Sequence, residues 1–195
     1  PSITPITPKN SYKVHRAPET AGGTPMISIH SDIYQVGCTA YRLLNGITHL
    51  KNEFHALGPT AYESEKAKGK IPNIGNYQPF VPSRLKTIIN KSLNIDPGQR
   101  YSSALEMRRK LEKLHFPGYW TTDAASELVG IGKKYLYQFE IEAKAGDVFN
   151  LHATKKNNIS GNITKVSDFT KKNLNRKEME KLRNGFISWV VENAN

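Results

Sequence analysis

The 195-residue chain has a single cysteine, Cys38, so it can form neither an internal disulfide nor a multi-cysteine zinc site. Long apolar runs are also missing. The longest, residues 186–191, falls far short of the roughly 20 residues a membrane-spanning helix needs. No basic-then-apolar stretch opens the sequence, so no signal peptide is expected. Together these absences lead to the expectation of a reducing, cytoplasmic setting with no membrane partner. Acidic residues are scarce: 17 Asp and Glu stand against 28 Lys and Arg, a net charge of +11. That balance favours anionic partners such as nucleic acid or phosphoproteins, although a solvated basic surface is the plainer reading. The six histidines show no paired metal-ligand spacing, and no metal site is expected. With 37% apolar and 9% aromatic residues the chain can build a core, and its length suits one domain or two small ones.

Prolines 1, 5, 8, 18 and 25 with Gly22-Gly23 interrupt the first twenty-five residues too often for a regular element. A helix is predicted from Ser31-Asp32, with Ser31 as N-cap, to the stop at Asn45-Gly46. Its apolar residues lie almost all round, the pattern of a helix buried on most sides. Residues 47–81 read as loop with one helix near 60–68. A helix opens at Pro82-Ser83, with Leu85, Ile88, Ile89 and Leu93 at spacings of three and four. After the turn Asp96-Pro97-Gly98, another runs from Ser102 or Ser103 to Pro117-Gly118. Alternation then replaces helical spacing. Tyr135, Tyr137, Phe139 and Ile141 alternate with Leu136, Gln138, Glu140 and Glu142, Gly146-Asp147 makes a turn, and residues 148–154 form the return strand. A third strand near 163–166 and a helix over about 176–192 complete the chain. The composition shift places a boundary near 117, giving segments 1–117 and 118–195.

The first segment resembles the C-terminal lobe of a eukaryotic-type Ser/Thr protein kinase. Ala17-Pro18-Glu19 is similar to the A-P-E tripeptide that closes the activation segment in that family. Ser31-Asp32-Ile33-Tyr34-Gln35-Val36-Gly37 resembles the S-D-x-[WY]-x-x-G start of the family's buried central helix. The stretch from Leu93 to Tyr101 resembles the L-x-x-D-P-x-x-R-[YP] turn before its last helix. The three motifs stand in family order over about residues 11–114. The resemblance implies a buried ion pair between Glu19 and Arg100, and an Asp32 that holds the catalytic loop through its backbone. It also implies transfer of the ATP γ-phosphate to protein hydroxyls, with magnesium, by the full-length parent. The sequence carries no Gly-rich phosphate loop, no H-R-D with its Asn and no D-F-G. This chain alone is therefore expected to be inactive, with no catalytic, cofactor-binding or metal residues of its own. It would act as a scaffold, with the missing N-terminal part of the kinase and protein substrates or regulators as partners. A non-catalytic binding module built on a kinase lobe is the alternative. Thr4, Thr7 and Ser11 are candidate phosphosites in a basic segment. The chain departs from the family at His15, where a Tyr is common, and at Tyr12, where a Thr is usual.

The fold class expected is thus a mainly α kinase-lobe portion followed by a small α+β domain of three antiparallel strands and a helix. The second segment shows no catalytic constellation. Its expected element order loosely resembles a double-stranded-RNA-binding domain. On that reading Lys155, Lys156, Lys171, Lys172, Arg176 and Lys177 would contact phosphates, but the family's basic run is broken by Glu178 and Glu180. A small interaction or regulatory module is favoured.

Overall fold

The computed structural model describes residues 13–21, 27–122 and 127–194. They form two compact units. One comprises the chain up to Gln78 together with Ser83–Leu114, and the other Pro79–Pro82 together with the chain from His115 onward.

The first unit holds five helices: α1 (Ile29–Asn45), α2 (His49–Leu57), α3 (Pro59–Ala67), α4 (Ser83–Ser92) and α5 (Ala104–Glu112). Helix α1 starts two residues before its predicted N-cap. Ser28 is the cap, accepting from the His30 N–H, while Ser31 Oγ accepts from the Ser28 N–H at 3.3 Å to close a capping box. Tyr34, Cys38 and Tyr41 of α1 enter a core with Val14, Ala17, Leu50, Tyr62, Ile89 and Leu93. Gly37 lets α4 approach. A Cβ there would sit 2.3 Å from Ser92 Oγ, so glycine at this place in the motif is a steric requirement. The prediction of burial on most sides does not hold. Ile29, Val36 and Leu43 are 47%, 52% and 70% exposed. Helix α2 lies in a stretch read as loop. Thr48 gives it no side-chain cap, and it depends on Leu50 and Phe54 packing against the core, with Phe54 edge-on to Tyr62 at 5.2 Å.

The second unit corrects the expected fold class. Instead of three strands it has a six-stranded antiparallel sheet: β1 (Tyr119–Thr122), β2 (Leu128–Ile131), β3 (Tyr135–Lys144), β4 (Val148–Asn157), β5 (Ile163–Lys165) and β6 (Lys171–Asn175). Among the described residues the chain has six α-helices beside this sheet, so "mainly α with a three-stranded addition" is not its architecture. The long β3–β4 hairpin was legible from alternation, and its turn uses left-handed backbone at Gly146 and Asp147 (φ 79° and 55°). The three strands that were not predicted have no such signal. β1 is four mostly exposed residues, β2 is a short unbroken apolar run, and β6 reads Lys-Lys-Asn-Leu-Asn. β6 forms because β4 offers a free edge. Their register shifts between Phe149 and Leu151, where Asn173 adopts φ 57° and donates its N–H to Asn150 Oδ1 at 3.0 Å. Helix α6 (Arg176–Asn193), capped reciprocally by Asn175 and Glu178, covers one face of the sheet. Met179, Phe186 and Val190 pack there with Tyr137, Phe149, Leu151 and Ala153.

Candidate functional site

The three motif segments meet at one buried guanidinium. Pro18 opens a 3-10 turn over Pro18–Thr20, tied by the Thr20 hydroxyl and N–H, both donating to the Ala17 carbonyl at 2.7 and 3.0 Å. Asp96 caps a second such turn, Pro97–Gln99, by accepting from the Gly98 N–H. These turns aim Glu19 and Arg100 at each other across 81 positions of sequence. Arg100 Nη1 donates to Glu19 Oε1 and Nη2 to Oε2, both at 2.8 Å, a bidentate pair. The other donors are used as well. Nε reaches the Asn94 carbonyl at 2.7 Å, Nη1 the His30 carbonyl at 2.8 Å, and Nη2 the Ile95 carbonyl at 3.4 Å. All five guanidinium N–H groups are thus satisfied inside the protein, and none remains for a ligand. The Arg100 side chain is 0% exposed and stacks 4.8 Å from the Tyr34 ring.

Ser31 Oγ donates to Glu19 Oε1 at 2.9 Å, so the serine expected to cap α1 instead binds the carboxylate and closes the capping box. Burial pushes the Glu19 carboxyl up. Hydrogen bonds from Arg100, its own backbone N–H and Ser31 outweigh burial and hold it below the usual carboxylate range.

A second buried cation, with no counterpart in the sequence reading, holds the backbone just ahead of Ala17. Lys66 Nζ donates to the carbonyls of Lys13, Val14 and Arg16 at 3.1, 2.9 and 3.0 Å. Four residues earlier on the same face of α3, the Tyr62 hydroxyl also donates to the Val14 carbonyl, and the ammonium lies 4.8 Å from the Tyr62 ring. Burial lowers the Lys66 ammonium from 10.5 to about 8. The Tyr–x–x–x–Lys spacing was the only available signal, and a lysine on an apolar stripe ordinarily snorkels to water. His15 sits beside this segment. Arg42 Nη1 donates to its Nε2 at 2.9 Å, and burial, with Arg42 and Lys66 nearby, lowers the imidazole to about 4, so it is neutral at pH 7.

Of the predicted residues, Ala17, Pro18, Glu19 and Arg100 come together. Asp32 does not join them. It is exposed on the first turn of α1, in an open groove of about 190 Å³ lined by Ile29, Ile33, Val36, Met107 and Leu111. Thr4, Thr7 and Ser11 lie outside the described residues. The six cations proposed for phosphate contact do not form one patch. Lys155 and Lys156 end β4, whereas Lys171 pairs with Leu151, and Arg176 binds Asp147 at the far end of that strand. Among the described residues no His, Cys, Asp and Glu cluster could hold a metal ion, and no helix is long and apolar enough to cross a membrane.

No family model matches the chain. One curated relative is a probable serine/threonine-protein kinase of Streptomyces coelicolor, 32% identical over 98 residues. The match covers 49% of this chain and only 14% of that protein. The chain is therefore kinase-related in sequence over about half its length.

Proposed function

We propose that the helical unit is the part of a Ser/Thr protein kinase domain that follows the activation segment, contributing scaffold and docking surface to a catalyst completed by other residues. The observation that carries this reading is the bidentate Glu19–Arg100 pair. It joins an Ala-Pro-Glu segment to an Asp-Pro-x-x-Arg turn, the two places the kinase resemblance links. The open side of α1 supports it too. A helix enclosed in the family here leaves Ile29, Val36 and Leu43 exposed. The exposed Asp32 carboxylate in that groove makes no side-chain hydrogen bond or ion pair among the described residues, which supports a role in holding a catalytic loop. On this reading the reaction, transfer of the ATP γ-phosphate with magnesium, belongs to the whole kinase. The chain's own residues position the activation segment and move no proton.

The test compares this chain with the product of the same reading frame extended upstream. Each is incubated with radiolabelled ATP, magnesium and a basic protein acceptor. The expected result is labelling by the extended product and none by this chain. An extended product that lacks D-F-G and H-R-D and labels nothing contradicts the reading and leaves a non-catalytic binding module.

A further inference from the structure

We propose that the end of the sheet formed by the β2–β3 turn and the β4–β5 hairpin is a peripheral docking surface for an anionic lipid bilayer, with Ile159 entering the acyl boundary. The proposal is independent of the kinase reading. It also departs from the expectation of no membrane partner, which rested on the lack of a spanning run that peripheral binding does not need.

Two stretches distant in sequence build this end. Asn158 ties them, donating its N–H to the Lys134 carbonyl at 3.0 Å and its Nδ2 to that of Lys133 at 3.4 Å. Residues 128–139 and 153–167 bring Lys133, Lys134, Lys155, Lys156 and Lys165 and contain no Asp or Glu. Apart from Lys155, which is half-buried with its ammonium 4.7 Å from the Tyr135 ring, these lysines are exposed. At the tip Ile159 is 98% exposed, and Ile163, paired with Lys156 across the hairpin, is 65% exposed.

The tip is held in this pose. Asn157 Oδ1 accepts from the N–H groups of Ile159 and Ser160 at 2.9 Å each, and the Asn157 carbonyl accepts from the Gly161 N–H at 3.0 Å. The turn therefore presents an apolar side chain outward while bonding its own backbone, which suits entry into a poorly hydrated layer. The rim chemistry separates a bilayer from nucleic acid. Every cation here is lysine, a hydrated point charge suited to diffuse attraction, and the bidentate phosphate grip of arginine is absent from the patch. The aromatic ring at this end, Tyr135, is half-buried beside Lys155 rather than open for base stacking.

The experiment is co-sedimentation of the full chain with vesicles of phosphatidylcholine alone or with about one-third phosphatidylserine, at about 0.1 M salt. Binding is expected only to the anionic vesicles. Ile159→Ser, at a fully exposed position that the fold does not need, should weaken it roughly three- to tenfold. Lys133→Glu with Lys134→Glu should weaken it more, with circular dichroism unchanged in both variants. Absence of anionic-vesicle binding overturns the proposal, as does binding indifferent to Ile159→Ser. Preferential capture by a DNA duplex in competition with the vesicles overturns it in favour of nucleic acid.

Discussion

Arg100 and Lys66 are both buried cations in the helical unit, and each holds a distant segment by its backbone, Arg100 through the His30 carbonyl and Lys66 through the Arg16 carbonyl. They differ in what balances the charge. Arg100 has a carboxylate in bidentate geometry as well as three carbonyls. Lys66 has carbonyl dipoles alone at hydrogen-bonding distance, and its ammonium is lowered to about 8, whereas Glu19 is held ionised. A buried charge with a hydrogen-bonded counter-ion acts as a fixed joint, and removing either partner strands the other. A buried charge held by dipoles can shed its proton as pH rises. The contrast predicts which change costs most.

The largest effect belongs to the joint. Arg100→Ala should lower unfolding free energy by about 2–4 kcal/mol, read from the urea midpoint, because it leaves the half-buried Glu19 carboxylate without its counter-ion. Lys66→Met should cost less, about 1–3 kcal/mol, because it unpairs neutral carbonyls and strands no charge. Their pH dependence sharpens the contrast. Between about pH 8 and 10.5 the unfolded chain keeps the Lys66 proton while the folded chain has lost it, so the Lys66 contribution to stability rises with pH there. Cys38, pushed up to about 12 by burial, acts oppositely above pH 9. The clean observable is therefore wild type minus Lys66→Met, whose stability gap should widen from pH 8 to 10.5. A constant gap would mean that Lys66 stays charged.

On the acid side, folded His15 resists protonation down to about 4 while the unfolded imidazole titrates near 6.5, so stability falls as pH drops through that window. Glu19, held below its usual range, adds a loss at lower pH in the same direction. His15→Gln should flatten the fall between pH 6.5 and 4, as followed by thermal melts. The smallest expected effect is that of Asp32→Ala. It removes only a helix N-terminal acid, so this chain should lose no more than about 0.5–1 kcal/mol. On the kinase reading proposed above, the same substitution in the upstream-extended product should abolish phosphoryl transfer. A large loss of stability in this chain would assign Asp32 a structural role instead.

What could be read in the sequence followed the physics. Glu19 and Arg100 were legible because Ala-Pro-Glu and Asp-Pro-x-x-Arg each carry local turn chemistry, and family order linked them. Gly37 was visible in its motif, but its reason, contact with Ser92, required the structure. Helix α6 announced itself by its apolar period, and the β3–β4 hairpin by alternation and its Gly146-Asp147 turn. The strands β1, β2 and β6 did not, because their conformation comes from partner edges and not from their own residues. Lys66 was hidden for a similar reason. Its partners are backbone carbonyls some fifty positions away, which side-chain patterns do not encode. The sequence reading grouped Lys155 and Lys156 with Lys171, Lys172, Arg176 and Lys177, a grouping the strands divide, and did not single out Lys133, Lys134 or Lys165. Strand pairing, and not sequence proximity, decides that Lys133 and Lys134 lie with Lys156 and that Arg176 does not.

The central claim is that one ion pair couples two segments 81 residues apart, and a double-mutant cycle tests it most directly. Urea unfolding of the wild type, Glu19→Gln, Arg100→Ala and the double variant at pH 7 gives the coupling free energy. A value of about 2 kcal/mol or more, with the double variant barely worse than Arg100→Ala, is the expected result. Additivity within about 0.5 kcal/mol would show that Glu19 and Arg100 act independently and would contradict the account.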